Sequence, residues 1–471
     1  MNTNSRLIVG PFNRVEGDLE VTLDISAGQV QSARVTAPMY RGFERILVGR
    51  PPEDALVVAP RICGICSVSQ SVAAARALAS VARIAIPDNG RLLTDLMLAC
   101  ENAADHLTHF VLFFMPDFVR PLYAGRPWFA AAERRFAAIH GEASRQMVPA
   151  RARFLHLMGL LAGKWPHSLA LQPGGVTKGV DSGERIRLLG ILADFRRQLE
   201  QVLFADSLEN IAALSSRAAL ESWADQAPQD HGDFRLFLHI ARDLRLDQSG
   251  HGPHRFLSHG SFGLFPAGQA VSGAISAFDP AQVAEDLTSA WMDTPALPDA
   301  DKAGAYSWCK APRLSGQSFE TGALARAMVA ADPLARDLCA DKGGSVQARV
   351  VTRLVELAKL VIAMENWAKQ IRPGEAICEE APLPLHGQGL GLVEAARGAL
   401  SHHLEMDGGR IRDYAIIAPT TWNFSPRDQA GNPGPLEQAL QGAPVLDGET
   451  TPVAVQHIVR SFDPCMACTV H

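Results

Sequence analysis

The sequence has no apolar run long enough to cross a bilayer. Its first residues, MNTNSRLIVG, lack the charged-then-apolar pattern of a secretion signal. No basic block stands out, and 44 Lys and Arg are outnumbered by 50 Asp and Glu, for a net charge of −6. These absences argue against a membrane span and against nucleic acid or an acidic membrane surface as partner. The chain therefore reads as cytoplasmic, unless a partner carries it elsewhere. It contains no internal repeat, no low-complexity linker and no composition break that marks a domain boundary. Cysteine is also scarce: eight in 471 residues do not make a disulfide scaffold.

What is present is an ordinary globular balance, 47% hydrophobic and 20% charged, with apolar residues for about two to four domains' worth of core. LEVTLDI and VQSARVTA alternate apolar and polar residues around SAGQ, which predicts a hairpin within residues 6–37. From about Gln70 the pattern turns helical. SQSVAAARALASVARIAIP ends at Pro87, and RLLTDLMLACENAADHLTHFVLFFMP ends at Pro116. In the second, Glu101, Asp105 and His109 are spaced by four and share one face. Further long helices are predicted in ERIRLLGILADFRRQLEQVLF and SVQARVVTRLVELAKLVIAMENWAKQI, and a last one in TPVAVQHIVRSF. Residues 223–320, rich in Gly, Pro, Asp and Ser, read as irregular with short strands, and 410–417 as a strand. The expected fold is mainly α with a small β portion, a long-helix bundle built as one unit over 1–471. Its β-rich part runs to about residue 60 and its helical body from about 61 to 471.

Four cysteines, Cys100, Cys309, Cys339 and Cys378, stand alone and read as small buried apolar residues. The other four form two C-x-x-C pairs: Cys63 and Cys66 in PRICGICSVSQ, just before a helix, and Cys465 and Cys468 in DPCMACTVH, just after one. Four thiolates can close a tetrahedral zinc site. Structural zinc pairs, however, usually lie roughly 12–20 residues apart, and these are separated by most of the chain. Structural zinc, two unrelated thiol pairs and one shared site for a soft redox metal all remain open on the residues alone.

The flanks add more. RVEGD, RGFE, RICGIC before a helix, APTTWNFSPRD and DPCMACTVH, in that order, resemble the large subunit of a nickel–iron hydrogenase. The resemblance runs from about Arg6 to His471, with GGVTKG and YSWCKAPR as weaker landmarks. It implies that Cys63 and Cys465 bind nickel terminally. Cys66 and Cys468 would bridge nickel to an iron carrying one carbon monoxide and two cyanides, ligands built by separate maturation proteins. Heterolytic cleavage of dihydrogen then needs an acceptor of hydride, which the metals would supply, and a nearby base. Glu16 matches the proton-gate glutamate, although Asp18 stands where EGH is common. Glu44, the Ile416 carbonyl and His471 match the ligands of a magnesium-like ion. Arg397 matches an arginine over the metals, with Asp105 and Asp463 as its acidic partners. Thr420 would donate to a cyanide. Ala396 replaces a usual proline but keeps its carbonyl.

Three departures resemble the hydrogen-sensing branch of that family. Ile65 stands for a common valine, Phe113 for a leucine and Gln70 for a histidine. A larger Ile65 and Phe113 would narrow the gas channel against dioxygen, and Gln70 does not titrate as a histidine would. The sequence stops at His471, either because it was made without the C-terminal extension of metabolic members or because a matured product is represented. Two functions follow: a sensor that reports dihydrogen to a histidine kinase with slow turnover, or an uptake hydrogenase feeding respiration. A non-catalytic zinc protein is a distant third. No clustered cysteines remain for iron–sulfur centres, so a small iron–sulfur subunit is implied as partner.

Overall fold

The computed structural model describes residues 5–294, 297–340 and 342–471. At the N-terminal end, β1 (Ser5–Val9), β2 (Glu20–Ser26) and β3 (Gln29–Thr36) form an antiparallel sheet. The alternation that predicts the hairpin is also what buries it: Val21, Leu23 and Ile25 of β2 face the core together with Val30, Ala33 and Val35 of β3.

Two helices follow and carry the site. The first, α1 (Ser67–Ala82), begins immediately after Cys66 and stops at Arg83, whose φ of 56° breaks the helix before Pro87 is reached. The second, α2 (Asp88–Thr108), starts directly after Pro87 and is buried along most of its length. Its periodicity continues beyond residue 108, but the backbone widens into a π-helical turn over His109–Phe114 before Pro116. The third, α3 (Ser182–Gln198), is opened by a capping box of Asp181 and Glu184 and continues into another π-helical turn, Leu199–Phe204.

The stretch 223–320 departs from expectation. It contains a regular helix, α4 (Asp233–Leu244), whose residues DFRLFLHIARDL bury one face. Its strands include β4 (Arg255–Ser261), β5 (Phe265–Val271) and β6 (Ala274–Ser276), which pair in order, and further short strands between 283 and 314. Pro295 and Ala296 of this stretch lie outside the described residues. Beyond it come α5 (Ala323–Val329) and the long α6 (Val346–Gln370), which is capped by Ser345 and packs along α2.

Strands are therefore not confined to the first sixty residues. A further antiparallel sheet, β7 (Gly387–Ala395), β8 (Gly398–Asp407) and β9 (Arg410–Ile417), lies against α1. Only β9 is legible from the sequence. β7 approaches α1 so closely that a Cβ on Gly389 would lie 2.2 Å from the Ala77 carbonyl, and one on Gly391 1.9 Å from that of Ala73. The alanines of α1 and the glycines of β7 are thus one packing device: small residues on both sides let a helix and a sheet touch backbone to backbone. A late helix, α7 (Val453–Ser461), leads to Asp463 and the second cysteine pair, whose Cys468 lies in a last helical turn, Met466–Thr469. Cys100, Cys309 and Cys339 are buried as expected, while Cys378 is only half-buried.

Gly391→Ala should destabilise the protein by about 3 kcal/mol, because the clash is with backbone and cannot be relieved by a rotamer change. A thermal melt that coincides with that of the parent would contradict this packing.

Candidate metal centre

The two C-x-x-C pairs meet. All four sulfurs lie within 4.8 Å of one another, and all four residues are buried. Cys66 and Cys468 are closest, with sulfurs 2.8 Å apart. Cys465 lies 3.1 Å from Cys468 and 3.5 Å from Cys63. Among the described residues this is the one group of His, Cys, Asp and Glu with metal-binding convergence.

The fold makes this meeting in a specific way. Glu16 bridges Cys465 in parallel strand fashion, and the Met466 amide donates to the Glu16 carbonyl at 2.7 Å. Gly17 makes the approach possible, since at its φ of 79° a Cβ would lie 2.9 Å from the Ala467 nitrogen. The Arg41 guanidinium joins the two pairs directly, donating to the Ile62 carbonyl at 2.6 Å and to the Ala467 carbonyl. From α2, Glu101 accepts from the Val68 and Ser69 amides at 2.8 and 2.9 Å and so caps α1 just beyond Cys66.

Without a cation, burial and mutual hydrogen bonding favour the protonated form of most of this sulfur set. Hydrogen bonds from Cys465, Cys468 and Cys66 stabilise one thiolate, Cys63, far below the usual thiol range. Cys66 and Cys468 are pushed well above it, first by hydrogen bonding with Cys465, with Cys63 and burial adding to it. Four thiolates can be anionic together here only around a cation. A soft metal centre fits that requirement.

A small cavity abuts Cys66, Cys465 and Cys468, walled by Ile65, Gln70, Ala396, Arg397 and Thr420. Arg397 is buried. Its Nε donates to the Asp463 carbonyl at 3.0 Å, and its Nη2 to Asp105 at 2.9 Å and Asp463 at 3.2 Å. Its Nη1 has no hydrogen-bond partner among the described residues. Burial opposes the charge on Arg397, but Asp105 and Asp463 overrule it, and its pKa is raised further. Burial lifts Asp105 to about 7 despite Arg397. Asp463 is also disfavoured by burial, yet Arg397, His109 and Arg353 hold its carboxyl low. Thr420 Oγ accepts from the Cys465 amide at 3.1 Å, which leaves its hydroxyl hydrogen available to the cavity. The Ala396 carbonyl is taken by Arg326 at 3.1 Å. Gln70 Oε1 lies 2.7 Å from Nε2 of a neutral His402, whose Nδ1 lies 2.8 Å from the Tyr414 hydroxyl. Ile65 lines the cavity; Phe113 is half-buried on the π-helical turn and does not.

Glu16 is half-buried, and its carboxyl is raised by burial and then by the Cys63 thiolate. On the other side of the cysteines, Glu44, Ile416 and His471 converge. Glu44 Oε1 accepts from the Ile416 amide at 2.8 Å and lies 3.6 Å from His471 Nε2. The His471 ring stands between two carbonyls, Cys468 at 2.8 Å from Nδ1 and Ile416 at 2.5 Å from Nε2. Burial, then Lys310, lowers this imidazole to about 4. A neutral ring has one N–H, so one lone pair must face a carbonyl oxygen unless a cation stands there. That suits a hard divalent ion with carboxylate, carbonyl and imidazole donors. Lys310, absent from the sequence reading, shares the corner, donating to Glu44 at 3.1 Å and to Glu285 at 2.8 Å.

Sequence and fold also match a known family. The profile of nickel-dependent hydrogenases matches residues 41–139 and 146–471. The large subunit of the periplasmic NiFeSe hydrogenase of Desulfomicrobium baculatum is 28% identical, over 99% of this chain and 95% of its own. The uptake hydrogenase large subunit of Bradyrhizobium diazoefficiens is 25% identical, over 100% and 96%. The solved Ni-Fe-Se hydrogenase of Desulfovibrio vulgaris Hildenborough superposes with a TM-score of 0.84 at 27% identity, covering all of both chains.

Kept free of metal and treated with a mild oxidant, the chain should form a Cys66–Cys468 disulfide, because those sulfurs are nearest. Peptide mapping that found these two thiols free, or joined to other partners, would contradict the arrangement. With four convergent thiols and a family profile over most of the sequence, this chain belongs to the nickel-dependent hydrogenases and is the large, catalytic subunit of such an enzyme.

Proposed function

We propose that the chain cleaves dihydrogen at a nickel–iron centre in which Cys63 and Cys465 bind nickel terminally and Cys66 and Cys468 bridge to iron. The observation that carries this is the sulfur set itself. The two sulfurs assigned to bridging are the closest pair, and they border the cavity together with Cys465. One carbon monoxide and two cyanides on iron, installed by maturation proteins, would occupy that cavity beside Arg397 and Thr420. When bound, the centre supplies the electron acceptor and the polarisation of dihydrogen.

The protein's residues do the rest. A terminal thiolate takes the proton, and Glu16, next to Cys465 and raised towards neutrality, carries it away. Arg397, fixed by two carboxylates, turns its remaining N–H groups to the cavity. A magnesium-like ion at Glu44, the Ile416 carbonyl and His471 would neutralise the buried corner behind Cys468. Electrons leave through an iron–sulfur small subunit, since among the described residues no second cysteine cluster exists.

Within this activity we read the chain as a hydrogen sensor signalling to a histidine kinase. Ile65 narrows the cavity beside Cys66, and Gln70 holds His402 in one neutral tautomer. The second reading is uptake, favoured by the relatives named above, whose names are uptake or periplasmic enzymes. Location belongs to the same choice: a cytoplasmic place fits the sensor, and cell fractionation tests it. No described helix is long and apolar enough to cross a membrane.

Infrared spectra of the purified complex should contain bands of metal-bound carbon monoxide and cyanide; their absence would refute the centre. Glu16→Gln should keep those bands and the nickel while proton–deuterium exchange falls by roughly 100-fold or more. Exchange at the parental rate would move the proton gate elsewhere. Ile65→Val should leave hydrogen turnover intact and speed inactivation by oxygen several-fold. Equal inactivation of variant and parent would remove the gate, and with it the main support for the sensor.

A further inference from the structure

Arg397 occupies an exacting place in the backbone. It lies with Ala396 in the tight turn between β7 and β8, where Ala395 pairs with Gly398. Gly398, at a φ of 127°, is pressed against α5, and a Cβ there would lie 2.5 Å from the Gly322 nitrogen. A turn this tight, carrying a functional side chain, must be held from outside, and one arginine reaches both carbonyls that precede Arg397.

Arg326, on α5, is fully buried. Its Nη1 donates to the Ala395 carbonyl at 2.9 Å and its Nη2 to the Ala396 carbonyl at 3.1 Å, the two residues immediately before Arg397. Its other bonds go to carboxylates. Glu394 accepts from Nη1 at 2.6 Å, and Glu356 accepts from Nε at 2.8 Å and Nη2 at 2.6 Å. Every donor of the guanidinium is used. Glu356 also meets His106 at 2.9 Å, whose other ring nitrogen faces Arg353 at 3.1 Å. Arg353 donates to Asp463 at 3.0 Å. Asp463 grips the Arg397 head group. The same arginine is therefore tied to the backbone under Arg397 and, through three side chains, to the carboxylate that orients it.

We propose that Arg326 is a positioning residue for the hydrogenase reaction, setting the place of Arg397 by clamping its turn. This rests on the reading that Arg397 faces the metal centre. The bland alternative is a satisfied core arginine that merely stabilises the hairpin. Buried ion pairs are weak contributors to stability compared with apolar packing, so stability alone does not account for one spent on two turn carbonyls. Lysine keeps the charge, but its three donors diverge from one atom and cannot span two carboxylates and two carbonyls.

The test uses Arg326→Lys in the complete metal-loaded complex, with three readouts. Amide exchange of the peptide covering residues 394–400 should become roughly tenfold faster, about one hydrogen bond's net worth. Nickel should be retained. Proton–deuterium exchange should fall by up to roughly 100-fold, as for a small misplacement of a positioned group, with little change in the KM for dihydrogen. Arg326→Ala adds a rescue. A cavity of about 310 Å³ lined by Glu356, Ala323 and Phe265 adjoins the slot, so millimolar guanidinium should restore activity and slow the turn's amide exchange. A turn as protected in the lysine variant as in the parent overturns the inference and leaves the reading of Arg397 intact. A loosened turn with nickel retained and normal activity overturns that reading, and the inference with it. Loss of nickel from the lysine variant would mean that Arg326 holds the fold at large, and would also overturn it.

Discussion

The structure depends on one closure: the segment after α7 must lie against the loop that follows β1. Met466 donates to the Glu16 carbonyl, Arg41 spans the flanks of both cysteine pairs, and the two pairs come from opposite ends of the sequence. Until that closure forms there is no four-sulfur site. Once it forms, four buried sulfurs are crowded together, and their surroundings oppose the ionisation of all but Cys63. A cation removes that opposition. Folding of the ends creates the metal site, and metal binding in turn stabilises that closure.

The second feature is how charge is kept beside the thiolates. Removing one member of a buried ion pair is costly, because its partner stays behind uncompensated. Here the pairs are linked rather than isolated. Arg397 sits between Asp105 and Asp463, Arg353 continues to His106, and Glu356 and Arg326 lead back to the turn that bears Arg397. A second knot ties the N-terminal loop to α7: Asp117 is fully buried and meets Arg14, Arg120 and Arg460, while Arg460 also holds the Asn13 carbonyl. The two knots fix both sides of the closure, so Glu16 and the second cysteine pair meet in a defined geometry.

Much of this was legible in the sequence, for identifiable reasons. The helices at 88–108 and 346–370 have sustained apolar periodicity, and their burial follows it. The four cysteines stand in motifs with recognisable flanks, so the centre could be read without coordinates. β7 and β8 could not. Their glycines look like loop signals, and only the closeness of Ala73 and Ala77 explains them. α4 was hidden because a short amphipathic stretch sits among turn formers. Arg41, Lys310 and Arg326 were invisible as site residues because a single charged residue has no spacing to read; Glu101 was placed on a face with Asp105 and His109, but its contact with the Val68 and Ser69 amides is distant in sequence. Phe113, chosen by position alone, lies away from the cavity that Ile65 lines.

The central claim is that both ends of the chain supply sulfur to one nickel. X-ray absorption at the nickel edge of the purified complex tests it most directly. The account predicts one nickel per chain with four sulfur neighbours in its first shell, falling to three in Cys465→Ser. Zinc in place of nickel, or a nickel shell of nitrogen and oxygen that the substitution leaves unchanged, would contradict it.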